Sequence, residues 1–295
     1  MATSLARLVA LAPEATLVKL IAHLQKIYLE TEDPDIKNIS GVTMLEIARQ
    51  AIEALKKCTT EATPLVFFGM HDEDENVQKI WSEIWEDLTQ GMALGLRQNL
   101  SEIITFLIKA LETQSWLTRK QAAISLSTAV TTLEKSRESQ EIFLPLAPQT
   151  LAKLVDILAG RTWKGKEAVL QALTDVCVCS KPLLTKENAS GPSLQVLLEL
   201  FLREAAKKDK DYRRKSLECL GKFVNTFELS ALDKTFPIFL DVIQPKEGED
   251  SGGEDAESGR RPLQVLVLAS AYRGLGLTWP KADIPPSKLF FSFFF

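Results

Sequence analysis

Histidine, tyrosine and cysteine are scarce in this chain, with two, three and four copies in 295 residues, and their placement removes most catalytic chemistry. His23 sits among Ile21, Ala22 and Leu24 and reads as structural, whereas His71 opens an acidic run, His71-Asp-Glu-Asp-Glu. That run could hold a cation weakly. It is better read as a solvated turn capping the next helix, because acids are favoured at a helix N-terminus. Cys58, Cys177, Cys179 and Cys219 lack metal-ligand spacing. On a helix the first and last residues of Cys177-Val-Cys179 point about 200° apart, so the four are read as core thiols in a reducing compartment.

Phosphate loops, dinucleotide fingerprints, nucleophile elbows and zincin motifs are missing. Gly274-Leu-Gly276 has neither a third glycine nor a preceding strand and reads as a helix end. No catalytic, metal or cofactor-binding residue is expected, and the chain is not expected to be an enzyme. A basic excess is also lacking: 35 Lys and Arg stand against 39 Asp and Glu, for a net charge of −4. This balance argues against nucleic acid as the main partner. No window approaches the ~20 apolar residues of a membrane span. Arg7 interrupts the apolar opening and Glu14 follows it, so no secretory signal is expected, and the Asn-x-Ser triplets at Asn38, Asn99 and Asn188 read as chance matches. The expected location is cytoplasm and nucleus.

Apolar residues, by contrast, are plentiful at 45%. Three segments read as one helix written three times: Trp116-Leu-Thr-Arg-Lys-Gln-Ala-Ala, Trp163-Lys-Gly-Lys-Glu-Ala-Val-Leu and Tyr212-Arg-Arg-Lys-Ser-Leu. Each opens on an aromatic, continues with basic residues and then carries an apolar stripe of 3.6-residue period. The aromatics are spaced 47 and then 49 residues apart, near the ~40–47 of HEAT and armadillo units. Arg119-x-x-Ala-Ala-x-x-Leu126 aligns with Arg213-x-x-Ser-Leu-x-x-Leu220, 94 residues on. A hairpin of this length cannot bury its own apolar face and must stack on neighbours, so the fold class is an all-α solenoid of HEAT/armadillo-like hairpins.

Helical periodicity predicts helices over 5–30, 42–57, 76–90, 100–112, 116–134, 150–159, 163–179, 193–207 and 212–226, with Pro64 restarting the chain. The repeats are expected over 1–245. An acidic Gly/Ser-rich disordered insertion is expected at 246–260, a further repeat helix at 261–280 and an atypical Phe-rich tail at 281–295. Trp81, Trp85, Trp116 and Trp163 read as packing residues.

Two features are candidate sites. Arg119, Lys120, Lys164, Lys166, Arg213, Arg214 and Lys215 recur once per repeat, so stacking would align them. They form either a ladder with acids such as Asp156, Asp175, Asp209 or Asp211, or a partner-contact strip for an acidic protein. Ser251 and Ser258, in the acidic segment, are candidate phosphosites.

Pro64-Leu-Val-Phe-Phe-Gly-Met-His-Asp, the following Val77-Gln-Lys-Ile-Trp-Ser-Glu-Ile-Trp, Trp116-Leu-Thr-Arg-Lys-Gln-Ala-Ala and the stretch from Trp163 to Phe223 together resemble the C-terminal region of the large HEAT-repeat proteasome adaptor and scaffold family. The likeness covers about residues 1–280. It implies a noncatalytic adaptor that bridges or stabilises the proteasome core and regulatory particles and takes part in assembly quality control. It further implies links to endoplasmic-reticulum, endosomal and motor proteins, peripheral association with those membranes, and no catalytic residues. From the residues alone, an importin-like helical-repeat transport carrier is the alternative, and it predicts an acidic inner surface for basic cargo.

Overall fold

The computed structural model describes residues 2–186, 191–229, 231–243 and 257–278. Among them lie sixteen helices and no strand. The chain divides into two compact units, Met1–Lys153 and Leu154–Phe295.

The first unit contains α1 (Ala2–Leu11), α2 (Glu14–Glu30), α3 (Pro34–Lys57), α4 (Thr59–Gly69), α5 (Glu75–Leu88), α6 (Met92–Gln98), α7 (Leu100–Glu112), α8 (Trp116–Glu134) and α9 (Arg137–Phe143). The single helix expected over 5–30 is two, because Pro13 takes an extended conformation at the N-cap of α2 (φ −58°, ψ 146°). α3 starts eight residues before the expected 42. Asp33 caps it by accepting from the Asp35 N–H at 2.9 Å, and Pro34 fits the first helical position. Pro64, expected to restart the chain, lies inside α4. The N–H it lacks would have met the carbonyl of Thr60, an exposed residue in the first turn of the helix.

These helices pack in two rows. α1, α3 and α5 lie against one another in turn, as do α2, α4 and α7, and α2/α3, α4/α5 and α7/α8 pair across the rows. Trp81 is fully buried, edge-on to Tyr28 at 5.5 Å, with its ring against the Cα of Gly69. Asp74 caps α5 by accepting from the N–H groups of Asn76 and Val77 at 2.8 and 3.1 Å, so the acidic turn does the capping the sequence suggests.

α10 (Ala147–Leu158) spans the point of division. The second unit continues with α11 (Lys166–Cys179), α12 (Lys181–Leu184), α13 (Leu194–Ala205), α14 (Lys210–Phe227), α15 (Leu232–Ile243) and α16 (Glu257–Thr278). α11 opens at Lys166 rather than at Trp163. Gly165 has φ 102°, a left-handed conformation that favours glycine and breaks the helix there. α11, α14 and α16 stack in sequence, with α13/α14 and α15/α16 as hairpins. The positions aligned from sequence are the buried ones: Ala122, Ala123 and Leu126 in α8, and Ser216, Leu217 and Leu220 in α14. Each buried leucine among them stabilises the stack by about 1.5–3 kcal/mol. All four cysteines are buried thiols outside any disulfide, and no described helix is long and apolar enough to cross a membrane.

α16 begins at Glu257, ahead of the expected 261 boundary. Residues 244–256, which include most of the expected insertion, and 279–295, which include the Phe-rich tail, lie outside the described residues. Gly274 is not a helix end. It lies inside α16, where a Cβ would sit 2.6 Å from the Leu217 carbonyl oxygen and 2.7 Å from the Phe239 ring. Gly221 of α14 faces it, with a Cβ there only 2.7 Å from the Gly274 backbone. Gly276, two residues on, has open space.

The two glycines should therefore respond oppositely to alanine. Gly274→Ala overpacks the α14–α16 contact and should cost about 1–3 kcal/mol. Gly276→Ala should add up to about 1 kcal/mol through helix propensity. Urea denaturation of both variants checks this, and equal signs would contradict the close approach.

Candidate functional site

The seven basic residues expected to share a strip fall into different environments. Arg119 and Lys120 belong to the first unit: Arg119 donates to the Thr113 carbonyl, and Lys120 pairs with Glu73. In the second unit, Lys164 and Arg214 are exposed and Lys215 is half-buried, 3.8 Å from Glu218. Arg213 pairs with Asp241 at 2.8 Å. Lys166 corrects the surface reading outright, since its side chain is 0% exposed and points inward. Of the expected ladder acids, Asp175 does accept from a lysine, but from Lys222 at 2.8 Å. Asp209 instead caps α14 by accepting from the Tyr212 N–H at 2.9 Å. Ser258 falls in the first turn of α16 and Ser251 lies outside the described residues.

Lys166 leads to a concentrated polar arrangement in the second unit. Its Nζ donates to the carbonyls of Leu158 (2.9 Å) and Gly160 (2.8 Å) and lies 3.1 Å from Glu204 Oε2. The Glu204 carboxylate, also 0% exposed, accepts in addition from the Tyr212 hydroxyl at 2.7 Å, Lys207 Nζ at 2.6 Å and Arg203 Nε at 3.1 Å. Both lysine ammonium groups lie over the Tyr212 ring, 5.7 and 5.5 Å from its centre.

One buried carboxylate thus serves three cations. Burial first, and then the neighbouring Lys207, lowers Lys166 from 10.5 to about 8 against the opposing pull of Glu204. Burial alone would raise Glu204, but hydrogen bonds from Lys207, Tyr212 and Lys166 outweigh it and leave the carboxyl below its ordinary value. Burial and Glu204 push the Tyr212 phenol up.

The first unit repeats the design around Asp72. The Tyr28 hydroxyl donates to this carboxylate, Lys37 pairs with it at 2.8 Å, and the Lys37 ammonium lies 5.2 Å from the Tyr28 ring centre. Gln121 closes the group, donating to the Tyr28 oxygen at 3.4 Å and the Phe68 carbonyl at 2.8 Å. Neighbouring His71 turns Nδ1 to the Phe67 carbonyl at 2.8 Å, and burial lowers its pKa. Chemically both arrangements are clamps. In each, a tyrosine hydroxyl and a lysine ammonium converge on one buried carboxylate, and these charge-assisted bonds tie neighbouring helices and turns together.

Sequence reasoning missed Glu204. The available signal was an acid in the buried register of α13, where Leu197, Phe201 and Glu204 follow at i, i+4 and i+7. A charged residue there needs a partner, because an unpaired buried charge is strongly unfavourable.

The packed helical hairpins of each unit define a helical-repeat protein of the armadillo-like class. Residues 193–288 match the family model described as ECM29, C-terminal ARM-like repeats. The human proteasome adapter and scaffold protein ECM29 is 28% identical over 291 residues, which cover 95% of this chain and 15% of the human protein. The Drosophila melanogaster proteasome-associated protein ECM29 homolog is 28% identical over 310 residues, covering 99% of this chain and 16% of the fly protein. The Saccharomyces cerevisiae proteasome component ECM29 is 24% identical over 206 residues, covering 68% of this chain and 10% of the yeast protein. The chain resembles the C-terminal repeat region of ECM29 and spans only about a sixth of the length of the human and fly relatives.

Replacing Glu204 by Gln leaves three cations around a neutral amide and should cost about 3–5 kcal/mol. Adding Lys166→Met should recover part of that loss in a double-mutant cycle read by urea unfolding. For Lys166 itself, the unfolded chain keeps the proton up to 10.5 while the folded chain releases it near 8. Between those values the unfolded state binds more protons, so the Lys166 contribution to stability rises with pH. The raised thiols and phenols act oppositely there, so the test is the difference between wild type and Lys166→Met. A difference flat from pH 7 to 10 would contradict the assignment.

Proposed function

We propose that this chain is a noncatalytic adaptor module that binds the proteasome and helps to link or stabilise its core and regulatory particles. The observation that carries this reading is the similarity, over 95% of the chain, to a protein named as a proteasome adapter and scaffold. The physics is in keeping with it. The buried carboxylates Asp72 and Glu204 are occupied in holding helices and loops together, and stacked hairpins present broad shallow surfaces suited to protein contacts.

By the same likeness, coupling to endoplasmic-reticulum, endosomal and motor proteins is part of the proposal; residence in cytoplasm and nucleus, and acid-directed phosphorylation at Ser251 and Ser258, are proposed from the composition of the chain alone. An importin-like carrier would call for an acidic face to take up basic cargo. The loop and turn around Lys166 are instead rich in Arg and Lys.

Affinity purification of the tagged full chain is the test. Recovery of core and regulatory particle subunits together, in near-stoichiometric amounts, is expected. Recovery of transport GTPases and basic cargo without proteasome subunits would overturn the adaptor reading.

A further inference from the structure

We propose that the loop 158–166 and the turn 203–214 of the second unit form one basic rim that binds a short acidic segment of a partner protein. Some forty-five residues apart in sequence, they are held side by side. Arg203 and Lys207 reach the carbonyls of Leu158 and Gly160 at 3.5 Å each, and Lys166 ties the same two carbonyls to Glu204 from below.

The two segments carry nine Lys and Arg against three Asp and Glu, in a chain whose net charge is −4. Of the three acids only Glu204 is buried, in the clamp; Asp209, which caps α14, and Asp211 are exposed but outnumbered by the exposed cations. Arg161, Lys208, Lys210 and Arg214 are exposed, and Arg203 is 53% exposed although its Nε is fixed by Glu204. Lys210 and Arg214 stand one turn apart on α14 and so share a face. The clamp therefore orders its cations while leaving the rim with an excess of positive charge.

Charge complementarity selects the occupant. Arginine forks and lysine ammonium groups suit carboxylates. The compact footprint of two short segments suits a brief Asp/Glu run. A long polyphosphate path would instead meet repulsion from the net negative remainder of the chain. This inference concerns the contact chemistry and holds whether or not the partner is a proteasome subunit.

The test is fluorescence anisotropy of a labelled peptide of alternating Asp and Gly with the full chain, across a salt series. Salt-sensitive binding is expected, weakened about tenfold or more by the triple variant R161E/K208E/K210E. The variant K19E/K26E/K57E reverses the same charge at exposed sites of the first unit and should leave binding within about twofold, allowing for screened long-range charge. Thermal melts establish that both variants fold. If the first does not, the neutral set R161Q/K208Q/K210Q replaces it, with a smaller loss expected in the same direction. Equal weakening in both triples, absence of salt-sensitive binding, or tighter binding of a single-stranded oligonucleotide of matched charge would overturn the proposal.

Discussion

Stacking of equivalent positions in successive hairpins is the constraint from which the rest of this structure follows. A lone hairpin leaves its apolar stripe in water, so each must find its neighbour in a fixed register. The register is visible as contacts one repeat apart. Lys120 meets Glu73, Lys207 meets the Gly160 carbonyl and Lys222 meets Asp175, each pair 47 residues apart. The first spacing of aromatics in the sequence, 47 residues, is thus the same length as the interval between residues that touch, and the second, 49, is close to it. Helix approach follows from it too: α14 and α16 come close enough that Gly221 and Gly274 face each other without side chains.

Two buried carboxylates refine that stacking. Apolar packing along a helix row tolerates sliding, because one aliphatic contact resembles the next. Asp72 and Glu204 are different, since each is satisfied only when a tyrosine and a lysine arrive together. A buried ion cluster adds little net stability over a well-packed apolar group, as desolvation offsets most of the Coulomb gain. Its effect is to fix geometry. In the second unit it determines where the 158–166 loop lies, because the carbonyls of Leu158 and Gly160 have a buried ammonium as their donor.

The repeat was legible in the sequence because its signal is spread over many residues. Ala122, Ala123, Leu126, Ser216, Leu217 and Leu220 all keep the 3.6-residue period, and all are buried. Boundaries were less legible, since they rest on single residues. Pro13 broke a predicted helix, while Pro64 was absorbed within α4, where the lost hydrogen bond falls on Thr60, an exposed residue of the first turn. Gly165 separated Trp163 from the helix it was expected to open. Recurrence once per hairpin predicts that the basic residues align along one surface, and Lys166 departs from that pattern. The burial of Lys166 depends on Glu204 and Tyr212, which lie 38 and 46 residues away in sequence. No local pattern contains that information.

The same pairing explains why net charge is a poor guide to the surface of a repeat protein. At −4 the chain as a whole repels anions weakly. Screening confines the influence of each exposed charge to about 8–10 Å at ordinary ionic strength, so a partner responds to one stretch of surface at a time. What it meets there depends on which charges the fold has already consumed. Around Glu204 the carboxylate is turned inward, whereas Arg161, Lys208 and Lys210 are left outside. A core interaction that fixes hairpin geometry has thereby also set the sign of the nearest surface, and packing and recognition become consequences of the same buried residue.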